Sequence, residues 1–345
     1  MFPKLVINRI DHLPKVSVVI PTRDRPKDLA NLLLTILSQN RPPFEVIIVD
    51  DSSVGSSKNV AVSFKSEFES AGCKLKHVIG SNDGLPAARI LGVDVSEGEV
   101  ILFLDDDTLL DRNVVCALGA FLRDNPVAVG VQPKISSPTE NINGNELTKK
   151  FRNAFYKSLM LSYYTKNKRA LRRSGVGVFA NNPTEVISVQ ILSGCCCCYR
   201  HEVFDELSFD INLKRWGFME DLDFSYRVYM KNPGSLYAIP YAKITHNSSG
   251  EARLPTKQRI YMTTIYWFYL FFKNIFKGSI LNLIAFLWAL TGNLVANVGR
   301  LITNRKPKHE WWGLVHLINS YFNAFKHLRE IKRGNLEFFN RQLKG

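Results

Sequence analysis

The sequence predicts an α/β protein: a doubly wound, mainly parallel sheet followed by a helical, apolar C-terminal extension. Three observations carry this. Short apolar runs alternate with amphipathic stretches from residue 16 to about residue 130. Acidic or polar clusters follow each of the first four apolar runs. The last ~85 residues then change composition, becoming rich in aromatic and aliphatic residues between scattered Lys and Arg.

The runs VSVVI (16–20), EVIIV (45–49), LKHVI (75–79) and EVILFL (99–104) are β-branched or apolar almost throughout, as expected for strands covered on both faces. Between them, Leu29, Leu32, Leu33, Ile36 and Leu37 recur at helical spacing, and residues 85–96 and 111–123 read the same way. Strand–helix–strand repetition at this pitch predicts a parallel sheet. Residues 135–185 break the rhythm with SSPTENINGNE and the basic run KNKRALRR. They read as an insertion or mobile loop rather than a new core, with the basic run as a solvated helix face. Apolar structure resumes at VISVQILSG (186–194) and continues through a Cys195–Cys198 strand and a helix near 221–231.

Two apolar segments follow, YMTTIYWFYLFFKNIF (261–276) and SILNLIAFLWALTGNLVANVGRLI (279–302). The second reaches the ~20 residues a spanning helix needs, but Asn282, Asn293, Asn297 and Arg300 interrupt it. Interfacial helices, a helical hairpin in the membrane and a buried homo-oligomer face all remain open, with membrane association favoured. Trp267, Phe268, Tyr269, Phe271, Phe272, Phe276, Phe286, Leu287 and Trp288 would suit the headgroup boundary. Lys257, Arg259, Lys273, Lys277, Arg300, Arg305, Lys306 and Lys308 would meet an anionic leaflet. The domain reading is therefore a catalytic unit over 1–250 and a helical region over 251–345. The catalytic unit divides into a nucleotide-binding half (14–130), an insertion (135–185) and an acceptor half (186–250).

The net charge of +14 and pI near 9.5 attract polyanions in general. A nucleic-acid binder would need a basic stripe interleaved with aromatics, whereas here the aromatics concentrate in the apolar segments, so no nucleic-acid partner is expected. The six cysteines lack a disulfide spacing, and although Cys195 and Cys198 form C-x-x-C, no second pair or nearby His completes a zinc site, so they read as small buried hydrophobes in a reduced setting. The N-terminus lacks a basic region followed by a long apolar run, so a cytoplasmic location is expected, at the inner face of the membrane.

Open α/β sheets bind ligands at the carboxyl ends of their strands. Those ends carry Pro21-Thr22-Arg23, Asp50-Asp51-Ser52-Ser53, Asn82-Asp83-Gly84 and Asp105-Asp106-Asp107. Three adjacent carboxylates repel one another unless a cation joins them, and hard divalent ions that bridge phosphates prefer oxygen ligands. A helix N-cap cluster is the plainer reading of the same residues.

The motifs VSVVIPTRDR, FEVIIVDDSS, NDGLPAARILGVDVSEGE and ILFLDDDT, with GFMEDLDFSYRV downstream, resemble the family-2 glycosyltransferases of the GT-A fold over roughly residues 14–250. The resemblance implies an inverting transferase using a nucleotide-diphospho-sugar donor, a UDP-sugar first, with Mn2+ or Mg2+. The acceptor would be a glycan or a lipid-linked chain of surface polysaccharide. It implies that Pro21, Thr22 and Arg23 line the base and ribose pocket, that Asp51 bonds the base and that Arg89 reaches the nucleotide. Asp105 and Asp106 would contact ribose or donor sugar, and Asp107 and His246 would serve the metal. Asp221 would be the base, with Glu220 beside it. From the residues alone, Asp221 and Glu220 could equally be helix-start acids. A sugar nucleotidyltransferase on a related fold is the alternative, disfavoured because PTRDRP has no glycine where a phosphate loop would need one.

Overall fold

The computed structural model describes residues 13–52, 55–136, 146–165, 167–180, 183–247, 255–303 and 307–343. The signal-peptide reading of residues 1–12, the middle of the insertion, and Arg305 and Lys306 lie outside them, and no side-chain position is described for Lys308.

Strands β1 (Val16–Thr22), β2 (Glu45–Asp50), β3 (Lys74–Ile79) and β4 (Val100–Leu104) form the parallel half of one sheet, in the order β4-β1-β2-β3. Helices α1 (Pro26–Leu37), α2 (Ser56–Ser70) and α3 (Leu85–Asp94) are the crossovers. The two-faced pattern is realised in β1, β2 and β4. Val18, Ile20, Val46, Ile48, Val100 and Leu102 pack on one side, and Val19, Ile47, Val49, Ile101 and Phe103 on the other. β3 departs from the expectation. It is the sheet's edge strand, only half-buried, because nothing pairs beyond it among the described residues. Gly92 lets α3 lie against β1, since a Cβ there would sit 2.2 Å from Val19.

The chain next forms β5 (Thr108–Leu110), α4 (Val114–Asp124) and β6 (Gly130–Ser136). Residues 146–180 hold α5 (Glu146–Ser158) and a separate small sheet of β7 (Tyr163–Thr165), β8 (Ala170–Leu171) and β9 (Gly177–Ala180). They correct the loop reading of the insertion: Leu159, Leu161 and Val176 are buried in a second core shared with the C-terminal helices. The basic run is corrected too. It is no helix face, and Arg169 within it is buried against the Phe179 ring. Of VISVQILSG only β10 (Ile187–Val189) is strand. β11 (Cys196–Arg200) runs antiparallel between β4 and β6, and its three cysteines are buried; just before it, burial pushes the Cys195 thiol up to about 12. Helix α6 (Glu220–Lys231) and the long β12 (Leu236–His246) complete the sheet, in the order β10-β12-β6-β11-β4-β1-β2-β3. β5 pairs with the far end of β12.

The C-terminal helices are α7 (Thr256–Leu270), a π-turn (Phe271–Phe276), α8 (Ile280–Thr303), α9 (Pro307–Lys326), α10 (Leu328–Lys332) and α11 (Glu337–Asn340). Trp267, Phe268, Tyr269, Phe271 and Phe286 are core residues, which corrects their assignment to a headgroup boundary. Phe271 and Phe286 stack with ring centroids 4.0 Å apart, and Trp267 donates its indole N–H to the Ser174 carbonyl at 2.8 Å. The second half of α7, Ile265 to Leu270, has no polar side, and a stretch apolar all round is buried. α8 differs. It is long and apolar enough to cross a bilayer by length and composition, and 33% of its apolar window is buried. Leu287 and Trp288 on it are exposed.

Candidate active site

The strand registers level Thr22 with Asp50 and Asp50 with Ile79, so the residues just beyond these strands share one edge. Asp51 accepts a hydrogen bond from the Asn82 N–H at 3.0 Å. Burial pushes its carboxyl up, opposed by that bond and by Arg23. Gly80 has no room for a side chain, because a Cβ would meet the Asp51 carboxylate at 1.9 Å. Pro21 is buried within β1, while Arg23 is partly exposed beside a cleft of about 420 Å³.

The three aspartates after β4 divide by direction. Asp106 turns inward, where its carboxylate accepts the Thr22 hydroxyl at 2.8 Å and an Arg25 N–H at 3.0 Å. Burial pushes Asp106 up to about 7, against the pull of Arg25. Asp106 is 4% exposed, and both of its carboxylate oxygens are engaged from within. Asp105 and Asp107 turn the other way and meet His246, with one ligand atom of each within 4.8 Å of the others. The antiparallel pairing of His246 with Thr108 brings the end of β12 to this point. His246 Nε2 lies 3.0 Å from Asp107. Burial alone would lower the imidazole, but Asp107 outweighs it and the net shift is upward. The set of two carboxylates and one imidazole at this spacing fits a divalent ion bound at about 2.0–2.3 Å per ligand, which would offset the repulsion between Asp105 and Asp107.

On the far side, α6 starts with Glu220 and Asp221 after a left-handed Met219 (φ 67°). Asp221 is half-buried. It accepts the Gly194 N–H at 2.9 Å and the N–H of its neighbour Leu222 at 2.8 Å, which fixes its carboxylate at the helix N-terminus. Glu220 is buried and accepts Arg89 Nη1 at 2.6 Å. Burial, then the Asp221 and Asp105 carboxylates, push Glu220 upward, while Arg89 opposes them. Arg89 is 1% exposed, and its other terminal nitrogen donates to the Gly194 carbonyl at 2.9 Å and to Asp105 at 3.2 Å. Arg89 lies beneath the site, joining Glu220 to Asp105.

Sequence reasoning missed the residues that hold this arrangement. Arg25 stood in the quoted PTRDRP motif and Asp223 in EDLDF, but nothing in the sequence named their partners. Asp223 accepts Lys273 at 2.8 Å, Asn274 at 2.8 Å and Arg227 at 2.8 Å, and Lys273 also reaches Asp210 at 2.6 Å. The π-turn thus grips the catalytic-side helix from the C-terminal region. Adding one residue to a helical turn is what aims both Lys273 and Asn274 at one carboxylate.

Residues 17–208 match the sequence model of Glycosyl transferase family 2, more than half of the chain. The chain belongs to glycosyl transferase family 2. This glycosyltransferase is 24% identical to glycosyltransferase GlyA of Streptococcus pneumoniae serotype 4 over 225 residues, 65% of the chain and 29% of that relative. It is 27% identical to the poly(ribitol-phosphate) beta-N-acetylglucosaminyltransferase TarS of Staphylococcus aureus over 113 residues, 32% of the chain and 19% of TarS. The chain thus spans less than a third of the length of these curated relatives. Among solved structures, residues 1–349 of S. aureus TarS superpose with a TM-score of 0.53 at 16% identity, covering 94% of this chain and 88% of that one. The Pyrobaculum calidifontis mannosyltransferase PcManGT, solved with GDP-Man and Mn2+, gives 0.56 at 15% identity, covering 92% and 88%. These likenesses establish the GT-A fold of the family-2 enzyme.

Proposed function

We propose that this enzyme transfers a sugar, with inversion, from a nucleotide-diphospho-sugar donor to a glycan or lipid-linked acceptor at an anionic membrane surface. The observation that carries the reading is the convergence of Asp105, Asp107 and His246 on one point, with Asp221 held across Arg89 and Gly194 from Asp105. Thr22, Arg23 and Asp51 take the nucleoside at the ends of β1 and β2, with Pro21 beneath them. Asp105, Asp107 and His246 hold the ion. The imidazole favours Mn2+ over Mg2+, which prefers an all-oxygen shell. Bound there, the ion neutralises the charge that develops on the leaving diphosphate. The Asp221 carboxylate accepts the acceptor hydroxyl's proton as that oxygen attacks. Asp221 acting as one base on the acceptor hydroxyl would give a single displacement and hence inversion. Arg89 and Glu220 set the floor of the site. UDP-sugars are the first donors to test. The donor reading is supported by the GDP-Man and Mn2+ in PcManGT, and the polymer acceptor by the name of TarS.

The membrane reading rests on surface chemistry. Leu147, Phe151 and Phe155 on α5, Ile280, Ile284, Leu287 and Trp288 on α8, and Trp311, Ile318, Phe322 and Phe325 on α9 are exposed at helical spacing. Residues 255–345 carry fourteen Lys and Arg against three Asp and Glu. Apolar stripes with flanking cations fit an anionic lipid surface better than a homo-oligomer face, where like charges would meet. In this reading residues 1–250 carry the chemistry at the cytoplasmic face, and the helices beyond support and attach it.

A thermal-shift panel of UDP, GDP and dTDP, each with and without Mn2+, tests the reading. A Mn2+-dependent rise that disappears in Asp107→Ala is expected. Equal stabilisation without metal, or a shift that survives in the variant, would count against it.

A further inference from the structure

The cleft of about 420 Å³ beside Asp51 has three walls. Arg23, Asn82 and Asp83 form the first, and the Asn82 N–H bonded to Asp51 makes it continuous with the residue proposed to read the base. Lys214, on the loop before α6, belongs to the second. The third comes from the end of the chain, Asn340 and Leu343. None of Asp105, Asp107 and His246 lines this cleft, so it serves the end of the donor away from the metal.

The third wall is anchored. The Lys214 N–H donates to the Tyr266 hydroxyl at 3.0 Å, and that hydroxyl bonds Asn340 Oδ1 at 3.1 Å. Asn340 Nδ2 then donates to the Asn212 carbonyl at 2.9 Å. Asn340 is 5% exposed and uses both ends of its amide in this chain of bonds. It therefore fixes the tip without an open group for a ligand. Leu343 belongs to the second buried core and is 8% exposed, so it shows the cleft a narrow aliphatic edge among amides and charges. A nucleobase has apolar faces and polar edges, and a pocket with one aliphatic wall and convergent polar groups matches that shape.

We propose that the C-terminal tip of the chain is a wall of the nucleobase pocket, in which Leu343 packs against the donor's base and Asn340 pins the tip to the loop that carries Lys214. The proposal rests on the donor reading above and deepens it. Leu343 is then a binding residue for the base, not for the diphosphate.

The test uses the full chain with Mn2+ and two probes: the nucleoside diphosphate that binds most tightly in the UDP, GDP and dTDP panel, and pyrophosphate, which has no base. Leu343→Ala should weaken the nucleotide about threefold, the scale of the small apolar area that Leu343 still shows the cleft, and leave pyrophosphate binding unchanged. Leu343→Met, which keeps the apolar volume, should stay within about twofold of the parent. Equal nucleotide affinity in Leu343→Ala overturns the proposal. So does a parallel loss for pyrophosphate, because the tip would then act on the site as a whole. Asp51→Ala separates the two levels. If it weakens the nucleotide and Leu343→Ala does not, only the role of the tip fails. If the parent chain binds none of the nucleotides, the donor reading falls first.

Discussion

Arg89→Met tests whether the buried guanidinium exists to neutralise the acids around it. Arg89 is 1% exposed and holds Glu220 at 2.6 Å, the Gly194 carbonyl at 2.9 Å and Asp105 at 3.2 Å. Methionine fills much of the same channel but donates nothing. Glu220 would then be buried with no cation against it and with Asp221 and Asp105 nearby. Breaking a buried pair on one side costs about 3–5 kcal/mol, a large share of the roughly 5–15 kcal/mol that stabilises a typical domain. The cost must depend on pH. Burial and the neighbouring acids already push Glu220 above the ordinary carboxylate range, and losing Arg89 pushes it further. A carboxyl raised in the folded state binds its proton more tightly folded than unfolded. Ionisation at higher pH therefore costs stability, and lowering the pH through the raised value removes the cost. Urea unfolding of parent and variant at pH 9 and pH 6, on either side of the Glu220 value raised to about 8, measures both effects. The gap between them should be several kcal/mol at the higher pH and clearly smaller at the lower. Adding Glu220→Gln should recover more than half of the loss, because the uncompensated charge goes with it. A loss below about 1 kcal/mol, or one equal at both pH values, would refute the argument.

Three further outcomes follow from the same geometry. Asp221→Asn keeps the shape that accepts the Gly194 N–H. It should fold and bind donor normally, with turnover down about 10²–10⁴-fold; a drop of less than tenfold moves the base elsewhere, Glu220 first. Lys273→Met leaves Asp210 without its ion pair, while Asp223 keeps Arg227 and Asn274. It should cost about 3 kcal/mol in urea unfolding, the low end for a broken buried pair, and an unchanged midpoint would show that the π-turn does not brace α6. The full-length protein should float with vesicles containing anionic lipid, less so as salt rises, because a surface-bound basic face is screened. A stable detergent-free oligomer that ignores vesicles would hand the exposed stripes to a homo-oligomer interface.

The parallel half of the sheet was legible because physics leaves it few alternatives. β1, β2 and β4 are buried on both faces, so they read as unbroken apolar runs, and the polar residues after them had to gather at one edge. The position of the candidate metal site followed from that edge. The direction of each side chain did not. Asp105, Asp106 and Asp107 are equivalent in sequence, and only Thr22 and Arg25, reaching across from β1 and α1, draw the middle one inward. Arg89 is the same lesson on a helix. Its periodicity marks an inward face, but whether it opens to the cleft or seals beneath it depends on Gly194 and Glu220, both more than a hundred residues away.

The aromatic C-terminus shows why composition alone could not separate core from surface. Rings in a core and rings at a lipid boundary both remove apolar area from water, so the residue types are the same in either case. What separates them is the distribution around the helix. α7 carries Ile265, Tyr266, Trp267, Phe268, Tyr269 and Leu270 in succession, which covers every side of a helix, and all six are buried. On α9, Trp311, Ile318, Phe322 and Phe325 recur at steps of three, four and seven and are exposed, while Leu314, Leu317, Tyr321 and Ala324 on the other face are buried. An all-round helix must be enclosed by protein, whereas a helix buried on one apolar face and exposed on another still has something left to cover. The two halves of the region therefore do different things. α7 and its π-turn join the α/β body through Asp210, Lys214 and Asp223, and the outer faces of α8 and α9 are left exposed.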